Sequence, residues 1–214
     1  MIHIKTFVFN PFQVNTYLLY DDSKECVIID TACYDDDERK QITGFIKKND
    51  LKSKSLICTH GHVDHILGIK YMMDFFPGIL FEINEDGVPF LKSSQSYASV
   101  FGLDIEQAPL PTGYLRDGDI IKIGNSSLQV LSTPGHAAGS ICLYNKEQKF
   151  VIVGDVLFQG SIGRTDLPTG NHELLIRSIQ QKLMTLDDDV IVYSGHGPST
   201  SIGEEKRNNP FLND

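Results

Sequence analysis

One short segment of the chain concentrates side chains that bind metal ions. Residues 60–65 read His-Gly-His-Val-Asp-His, which places three imidazoles and one carboxylate within six positions. Imidazole and carboxylate are the donors of many catalytic zinc sites, and pairs of divalent ions activate water for hydrolysis. The segment therefore predicts half of a two-metal site.

Three further candidate donors lie downstream in the same kind of context. An apolar run at residues 56–59 leads into His60, and comparable β-branched runs lead into His136, Asp155 and His196. Such runs are typical of buried strands, and sites in α/β sheets assemble beyond the carboxyl ends of strands. We therefore expect donors that are far apart in the sequence to meet at one rim.

Two of the seven histidines lack this context. His3 and His172 are isolated polar residues, and isolated histidines are more often surface or satisfied core residues than metal ligands. We expect both to lie outside the site.

The set of donors resembles that of the metallo-β-lactamase superfamily, from the first strands to Ser-Gly-His-Gly at residues 194–197. The resemblance implies an α/β fold, a four-layer αββα sandwich, with residues 1–214 forming a single domain. It implies a first metal ion held by His60, His62 and His136, and a second held by Asp64, His65 and His196. Asp155 would bridge the two ions, and Asp64 and Asp155 would be the catalytic carboxylates. Asp30 matches the superfamily's upstream aspartate, and we expect it to orient a ligand.

Two stretches narrow the resemblance to short, single-domain hydrolases of the glyoxalase II type. They are Gly-Asp-Val-Leu-Phe-Gln-Gly-Ser-Ile-Gly-Arg-Thr-Asp at residues 154–166 and Ser-Gly-His-Gly-Pro at residues 194–198. This resemblance implies hydrolysis of S-lactoylglutathione or a related acyl-thioester. Eighteen residues follow His196, which leaves no room for the helical extension with which glyoxalase II enzymes bind glutathione, so another thiol is also open.

The cofactors implied are two divalent metal ions. Nitrogen and oxygen donors without a thiolate suit zinc, our first expectation, and also iron or manganese. Two ions about 3.5–4 Å apart can share a hydroxide whose parent water has a pKa lowered to near 7. A thiol has a pKa of about 8.5, so the thiolate can leave without a strong general acid.

Several residues are candidates for contacts with the substrate. Arg164 could bind a carboxylate of a glutathione-like thiol, but an ion pair with Asp166 that fixes the loop is the favoured interpretation. Asn15, Tyr17 and the aromatic residues of 90–101 could line the pocket or belong to the core.

Two other functions use the same residues. Persulfide dioxygenases share the Gly-Arg-Thr-Asp run and would hold a single iron with His60, His136 and Asp155. A non-enzymatic metal-binding module is the third hypothesis, although all seven expected ligands are intact. Nucleases of this superfamily usually carry a large inserted domain, for which 214 residues leave no room.

Charge and composition argue against nucleic-acid and membrane partners, and the resemblance implies a small-molecule thioester as the partner. The formal net charge of −9 and the pI near 5.2 argue against a nucleic-acid partner, because phosphate contacts need clustered Lys and Arg. No apolar run approaches the ~20 residues that span a bilayer, so no membrane association is expected.

The start at residues 1–5 is unlike a signal peptide, and four cysteines without Cys-x-x-Cys spacing indicate buried free thiols, so we expect a cytoplasmic protein. The oligomeric state is not predicted.

Hydrophobic periodicity predicts two halves of similar plan. Strands are expected near 2–9, 16–20, 25–30, 54–58 and 79–83, and again near 119–123, 127–133, 140–145, 149–154 and 189–193. Helices are expected over 36–48, 64–76, 84–101 and 172–184. The acidic run 35–38 is expected to begin the first helix, and 187–189 to form a turn before a strand.

Overall fold

The computed structural model describes residues 1–212, whose main strands form two six-stranded sheets. The first sheet has the order β1 (His3–Phe9), β2 (Val14–Tyr20), β3 (Glu25–Ile29), β4 (Lys52–Ile57), β5 (Leu80–Ile83) and β6 (Gly113–Tyr114). Its first three strands are antiparallel, and β3 to β6 run parallel. Because β4 is parallel to β3 and β5, the carboxyl ends of these three strands lie at the same edge of the sheet.

The second sheet contains the strands of the other half of the chain. Those strands are β7 (Ile120–Ile123), β8 (Ser126–Ser132), β9 (Ile141–Asn145), β10 (Phe150–Gly154), β13 (Ile191–Ser194) and β14 (Thr200–Ser201). They lie in the order β14-β13-β10-β9-β8-β7, with β10 and β13 parallel. A small separate hairpin consists of β11 (Leu157–Phe158) and β12 (Ser161–Ile162).

Helices cover the outer face of each sheet. The helices are α1 (Asp36–Lys48), α2 (Val63–Ile66), α3 (Ile69–Phe75), α4 (Val88–Val100), α5 (His172–Ser178) and α6 (Ile202–Asn208). A 3-10 turn at Glu85–Gly87 precedes α4, and a π-helical turn at Ile179–Leu183 extends α5. Asp35 caps α1 by accepting hydrogen bonds from the backbone N–H groups of Asp37 and Glu38.

The side chains of the strands form three apolar layers. Leu18 and Ile28 pack with Ile42 of α1 on the outer side of the first sheet. Leu19 and Val27, at alternate positions, pack instead against residues of the second sheet. The second sheet in turn packs against a cluster that includes Leu175 and Ile179. This period-two alternation produces four layers, and the predicted αββα sandwich is confirmed.

The helix predicted over 64–76 is interrupted, which corrects the sequence-based boundaries. Gly68 packs so closely on Cys33 that a Cβ atom there would lie 2.4 Å from the Cys33 Sγ. The Gly68 N–H also donates to the Thr31 carbonyl at 2.8 Å. These contacts separate α2, which carries Asp64 and His65, from α3.

Every cysteine of the chain lies in the apolar layers. Cys26, Cys33, Cys58 and Cys142 are buried and free. Burial raises the pKa of the Cys33 thiol to about 12 and that of Cys142 to about 12. These thiols are protonated at neutral pH and act as small apolar side chains. Within residues 1–212, no helix combines the length and hydrophobicity needed to cross a membrane.

Candidate metal centre

Four strand ends deliver the predicted donors to one edge of the sandwich. His60 lies shortly after β4, His136 after β8, Asp155 directly after β10 and His196 after β13. The two sheets meet there, because the Asn15 N–H of β2 donates to the Gly195 carbonyl at 2.7 Å. The remaining donors, His62, Asp64 and His65, lie at the start of α2 and within it.

All seven predicted donors converge in space. Their ligand atoms form three overlapping groups, each within 4.8 Å: His60, His62 and His136; His60, His65 and Asp155; and Asp64, His65 and His196. The first and third groups are the two sets that the sequence analysis assigned to separate ions.

Asp155 lies between these two sets. Its Oδ2 is 3.8 Å from His136 Nε2 and 3.5 Å from His196 Nε2. Its Oδ1 is 3.4 Å from His65 Nε2. One carboxylate therefore faces donors of both sets, which is the position of a bridging ligand.

Three buried polar atoms in the cluster have no hydrogen-bond partner in the described part of the chain. They are His60 Nε2, His65 Nε2 and Asp155 Oδ1. A buried polar atom without a partner costs about 1–3 kcal/mol. Cations that accept these lone pairs would remove that cost, so the residues present fit a metal centre.

Hydrogen bonds on the far side of four imidazoles direct their Nε2 atoms into the cluster. His65 Nδ1 lies 3.0 Å from Asp30 Oδ2, and His60 Nδ1 lies 3.1 Å from Thr59 Oγ1. His136 Nδ1 donates to the Arg164 carbonyl at 2.8 Å, and His196 Nδ1 donates to the Phe12 carbonyl at 2.9 Å. These contacts fix ring orientation and the tautomer that leaves Nε2 free.

His62 directs Nδ1, instead of Nε2, toward the other donors. Its Nδ1 lies 2.9 Å from His136 Nε2, so both nitrogens point to the same space. The ring also contacts Phe90 edge-to-face, with centroids 5.2 Å apart. The first set therefore combines one Nδ1 donor with two Nε2 donors.

Asp30 is a buried carboxylate that contacts two elements of the site, whereas the sequence analysis expected only that it orients a ligand. Its Oδ1 accepts from the Thr59 N–H and its Oδ2 accepts from the Thr59 hydroxyl, both at 2.7 Å. Through Oδ2 it also orients His65. One carboxylate thus joins the end of β4 to α2.

The protonation states of the first set favour binding of a cation. Burial and the neighbouring His136 lower the pKa of His62 to about 4. Burial also lowers the pKa of His60 well below its usual value and lowers that of His136. These imidazoles are neutral at pH 7 and available as donors.

In the second set, the pKa values of the histidines are raised instead of lowered. Burial alone lowers the pKa of His196, but hydrogen bonds to Asp155 and Asp64 outweigh it and raise the pKa to about 9. His65 behaves similarly: burial is outweighed by the carboxylates around it, so its pKa lies well above its usual value. The two carboxylates therefore make a pocket that attracts positive charge.

Asn15 and Tyr17 lie behind the site rather than in the cleft. The Asn15 amide donates to the Ser194 and Gly197 carbonyls, both at 2.9 Å. The Tyr17 hydroxyl donates to the Ser194 carbonyl at 2.6 Å. Both residues hold the loop that carries His196.

Sequence reasoning missed two residues that support the site. Asn10 donates through its amide to the Asp64 carbonyl at 2.9 Å, and it has φ +57°. Glu38, within the acidic run that was expected only to begin a helix, accepts from the Asn10 N–H at 2.6 Å and from the Tyr34 N–H at 2.7 Å. Asn10 favours positive φ and was detectable as a turn residue, whereas the inward direction of Glu38 required the fold.

A cleft of about 250 Å³ opens onto the donors. Besides donor side chains, it is lined by Phe12, Val63, Tyr97, Phe101, Arg164 and Leu167. Arg164 forms two hydrogen bonds of 2.7 Å with the Asp166 carboxylate, so the favoured ion pair is present at the rim.

His3 and His172 lie outside the cluster, on β1 and at the start of α5.

Comparison with known proteins gives the family. The family model of the metallo-beta-lactamase superfamily matches residues 9–196, which include every donor described above. The chain belongs to the metallo-β-lactamase superfamily. Similarity to individual members of the superfamily extends over nearly the full length of the chain.

Three proteins of known name illustrate the range within the superfamily. Hydroxyacylglutathione hydrolase GloC of Haemophilus influenzae is 39% identical over 213 residues, covering 99% of both chains. The structure of BLEG-1 B3 metallo-beta-lactamase has a TM-score of 0.90 and 35% identity, covering 99% of this chain and 100% of that one. The structure of TTHA1623 in a di-iron-bound form has a TM-score of 0.86 and 31% identity, covering 98% and 100%. The superfamily fold is therefore shared over the whole chain by proteins whose names indicate different activities.

Proposed function

We propose that this superfamily member is a dinuclear metal-dependent hydrolase of small-molecule thioesters, similar to glyoxalase II. The observation that carries the proposal is the position of Asp155, which lies 3.8 Å from His136 of the first donor set and 3.4–3.5 Å from His65 and His196 of the second. The full-length similarity to a hydroxyacylglutathione hydrolase supports the thioester as substrate.

Some residues of the centre would bind the metal ions, and others orient these ligands. His60, His62 and His136 would hold one ion, Asp64, His65 and His196 the other, and Asp155 would contact both. When bound, two divalent ions supply an activated water and polarise the substrate carbonyl. Asp30 and the backbone carbonyls behind the imidazoles keep the donor geometry fixed before substrate arrives.

The cleft itself supports direct attack by water. Among its described lining residues there is neither serine nor cysteine, so neither of the usual acyl-enzyme nucleophiles faces the centre. The oxygen of water adds to the carbonyl carbon and the C–S bond breaks. One proton of the water goes to the leaving thiolate and the other to solvent, so the products are a carboxylate, a thiol and a proton. Since a thiol pKa is about 8.5, departure of the thiolate needs little proton donation.

Zinc is the metal that we propose first. Five imidazoles and two carboxylates suit it, and they also suit iron or manganese. A similar structure in a di-iron-bound form supports testing iron beside zinc. We also propose a cytoplasmic location, supported by the four buried free cysteines. The net charge of −9 supports a small-molecule partner over a nucleic acid.

The test compares metal-stripped and reconstituted protein. Removal of metal with a chelator should abolish hydrolysis of S-lactoylglutathione, followed as loss of thioester absorbance. Activity should return and reach its maximum near two equivalents of zinc, iron or manganese per chain. Activity that is indifferent to metal would contradict the proposal.

The same preparation tests the two alternative functions. His60, His136 and Asp155 belong to the same cluster, so geometry alone also accommodates the single iron of a persulfide dioxygenase. One iron per chain with oxygen uptake on glutathione persulfide, and no thioester loss, would establish that activity instead. Tight metal binding without turnover of either substrate would favour the non-enzymatic module.

A further inference from the structure

The cleft over the metal centre has two chemically different sides. Phe12 lies beside His196, whose Nδ1 donates to the Phe12 carbonyl at 2.9 Å. Arg164 lies beside His136, whose Nδ1 donates to the Arg164 carbonyl at 2.8 Å. Phe12 and Arg164 both line the cleft, so an aromatic residue is attached through its backbone to one donor set and an arginine to the other.

The aromatic side is built by the end of α4 meeting the loop after β1. The rings of Phe12 and Phe101 contact edge-to-face, with centroids 5.4 Å apart and an interplanar angle of 88°. Tyr97, one helical turn before Phe101, also lines the cleft. α4 is fixed against α2 by a cluster that includes Val63 and Ala98, so this wall is attached to the helix that carries Asp64 and His65.

Phe101 presents unused apolar surface to the cleft. It follows the last residue of α4 and is 52% exposed, although it lines the site. Exposed aromatic surface gains free energy when it is covered by an apolar group. The wall is therefore suited to an apolar part of the substrate.

The opposite side suits a charged arm near solvent. The Arg164 side chain is 61% exposed at the rim and shares its charge with Asp166. The cleft volume of about 250 Å³ is below the ~300–1,000 Å³ that encloses a drug-sized ligand. It has room for an acyl group and the thioester, while a peptide-like thiol with carboxylates would extend past Arg164.

We propose that the preferred substrates are thioesters with a bulky apolar acyl group, above all an aryl group, packed on Phe12, Tyr97 and Phe101. The acyl group points to the aromatic wall, and the thiol arm leaves toward Arg164. This inference rests on the proposed thioester hydrolysis and adds the class of acyl group. Phe101 is its main specificity residue, because it is both part of the wall and exposed.

The test uses two substrates that differ only in the acyl side group. S-lactoylglutathione and S-mandeloylglutathione share the thiol and the α-hydroxyl group and carry a methyl or a phenyl group respectively. The wild-type enzyme should show a kcat/KM at least about tenfold higher for the mandeloyl compound, since apolar pockets discriminate on this scale. The product acids, mandelate and lactate, give a second readout by calorimetric binding.

Three variants locate the preference. Phe101→Ala should lower the mandeloyl-to-lactoyl ratio about tenfold and weaken mandelate binding while leaving lactate binding unchanged. Phe101→Tyr keeps the ring and should keep the ratio. Val100→Ala is the matched control, because Val100 is the adjacent residue of α4, is 79% exposed and does not line the cleft.

The outcomes separate this inference from the function on which it rests. Hydrolysis of both substrates without a preference for the mandeloyl compound, or with the preference intact in Phe101→Ala, would overturn the acyl assignment alone. Absence of hydrolysis of both substrates by metal-loaded wild-type enzyme would overturn the proposed function and the inference with it.

Discussion

At the scale of single residues, the site depends on groups that orient donors as much as on the donors. Asp30 receives two hydrogen bonds from Thr59 and orients His65, although it contributes no ligand atom to the donor groups. The superfamily resemblance was enough to nominate Asp30 as an orienting residue. Its connection to Thr59 depends on the close approach of β3 and β4 and could not be read from spacing.

Asp30→Asn should lower metal affinity or activity roughly 10–100-fold, because it weakens the carboxylate–imidazole contact that orients His65. Metal equivalents at limiting zinc and kcat/KM on S-lactoylglutathione measure the effect. Asp22→Asn is the control, since the Asp22 side chain is 81% exposed and distant from the donor groups. Equal values for both variants would show that Asp30 has no orienting role.

Asp155→Ala should abolish metal-dependent turnover with modest damage to the fold, because it removes the carboxylate shared by both donor sets. His172→Ala should be close to neutral, since His172 is exposed at the start of α5. Turnover and thermal unfolding of both variants provide the measurements. Full activity in Asp155→Ala would refute a shared centre, and a large loss in His172→Ala would add a residue to it.

At the scale of elements, periodicity predicted the main strands and most helices near their observed positions. The elements it missed are short: β6, β11, β12, β14 and α6. α6 has little apolar periodicity, and it is held by its Ser201 cap and by Glu205, a buried carboxylate that accepts from the Gly160 N–H at 2.9 Å. The break before α3 was also missed, because it arises from the contact of Gly68 with Cys33. Such tertiary contacts carry no local sequence signal.

The turn after β13 admits no side chain at Gly195. A Cβ atom there would lie 2.1 Å from Asp155 Oδ1 and 2.8 Å from the His65 ring. Gly195→Ala should therefore displace Asp155 and reduce turnover about 100-fold, as expected for a misplacement of about 1 Å at a reacting centre. Gly197→Ala tests the alternative of backbone strain, since Gly197 has φ +70° but open space around its Cβ position. A smaller loss in Gly195→Ala than in Gly197→Ala would contradict the steric explanation.

At the scale of the whole molecule, the two sheets are joined at both ends. The metal centre joins them at one end, where Val14 of β2 pairs with His196. At the other end of β2, Asp21 accepts from the Asn125 N–H at 2.8 Å, in the turn between β7 and β8, and from the hydroxyl of Ser126, the first residue of β8, at 3.2 Å. The superfamily resemblance predicted the sandwich, whereas nothing in the sequence analysis pointed to Asp21.

Asp21→Asn should lower the free energy of unfolding by about 2 kcal/mol at pH 7, since hydrogen bonds to a charged group are lost. Burial raises the pKa of Asp21, but hydrogen bonds from Ser23, Asn125 and Ser126 outweigh burial and lower it. Because the pKa of Asp21 is lower in the folded protein, the ionised side chain stabilises the fold at pH values above its pKa in the unfolded chain, near 3.9. This stabilisation is lost as the pH falls through the pKa of Asp21 in the folded protein.

Denaturant unfolding at several pH values checks this prediction. The difference between wild type and Asp21→Asn should be constant above about pH 5 and should shrink below about pH 4. Asp22→Asn, at the neighbouring exposed carboxylate, provides the control. A difference that grows as the pH falls would contradict the assignment of the stabilisation to ionised Asp21.

The central claim is that seven donors form one centre for two ions that share Asp155. A crystal structure of the metal-loaded protein, with anomalous data at the zinc and iron edges, tests it most directly. Two peaks per chain are expected, about 3.5–4 Å apart. One should lie beside His60, His62 and His136 and the other beside Asp64, His65 and His196, with Asp155 contacting both. A single iron peak held by His60, His136 and Asp155, with Asp64, His65 and His196 free of metal under saturating conditions, would contradict it.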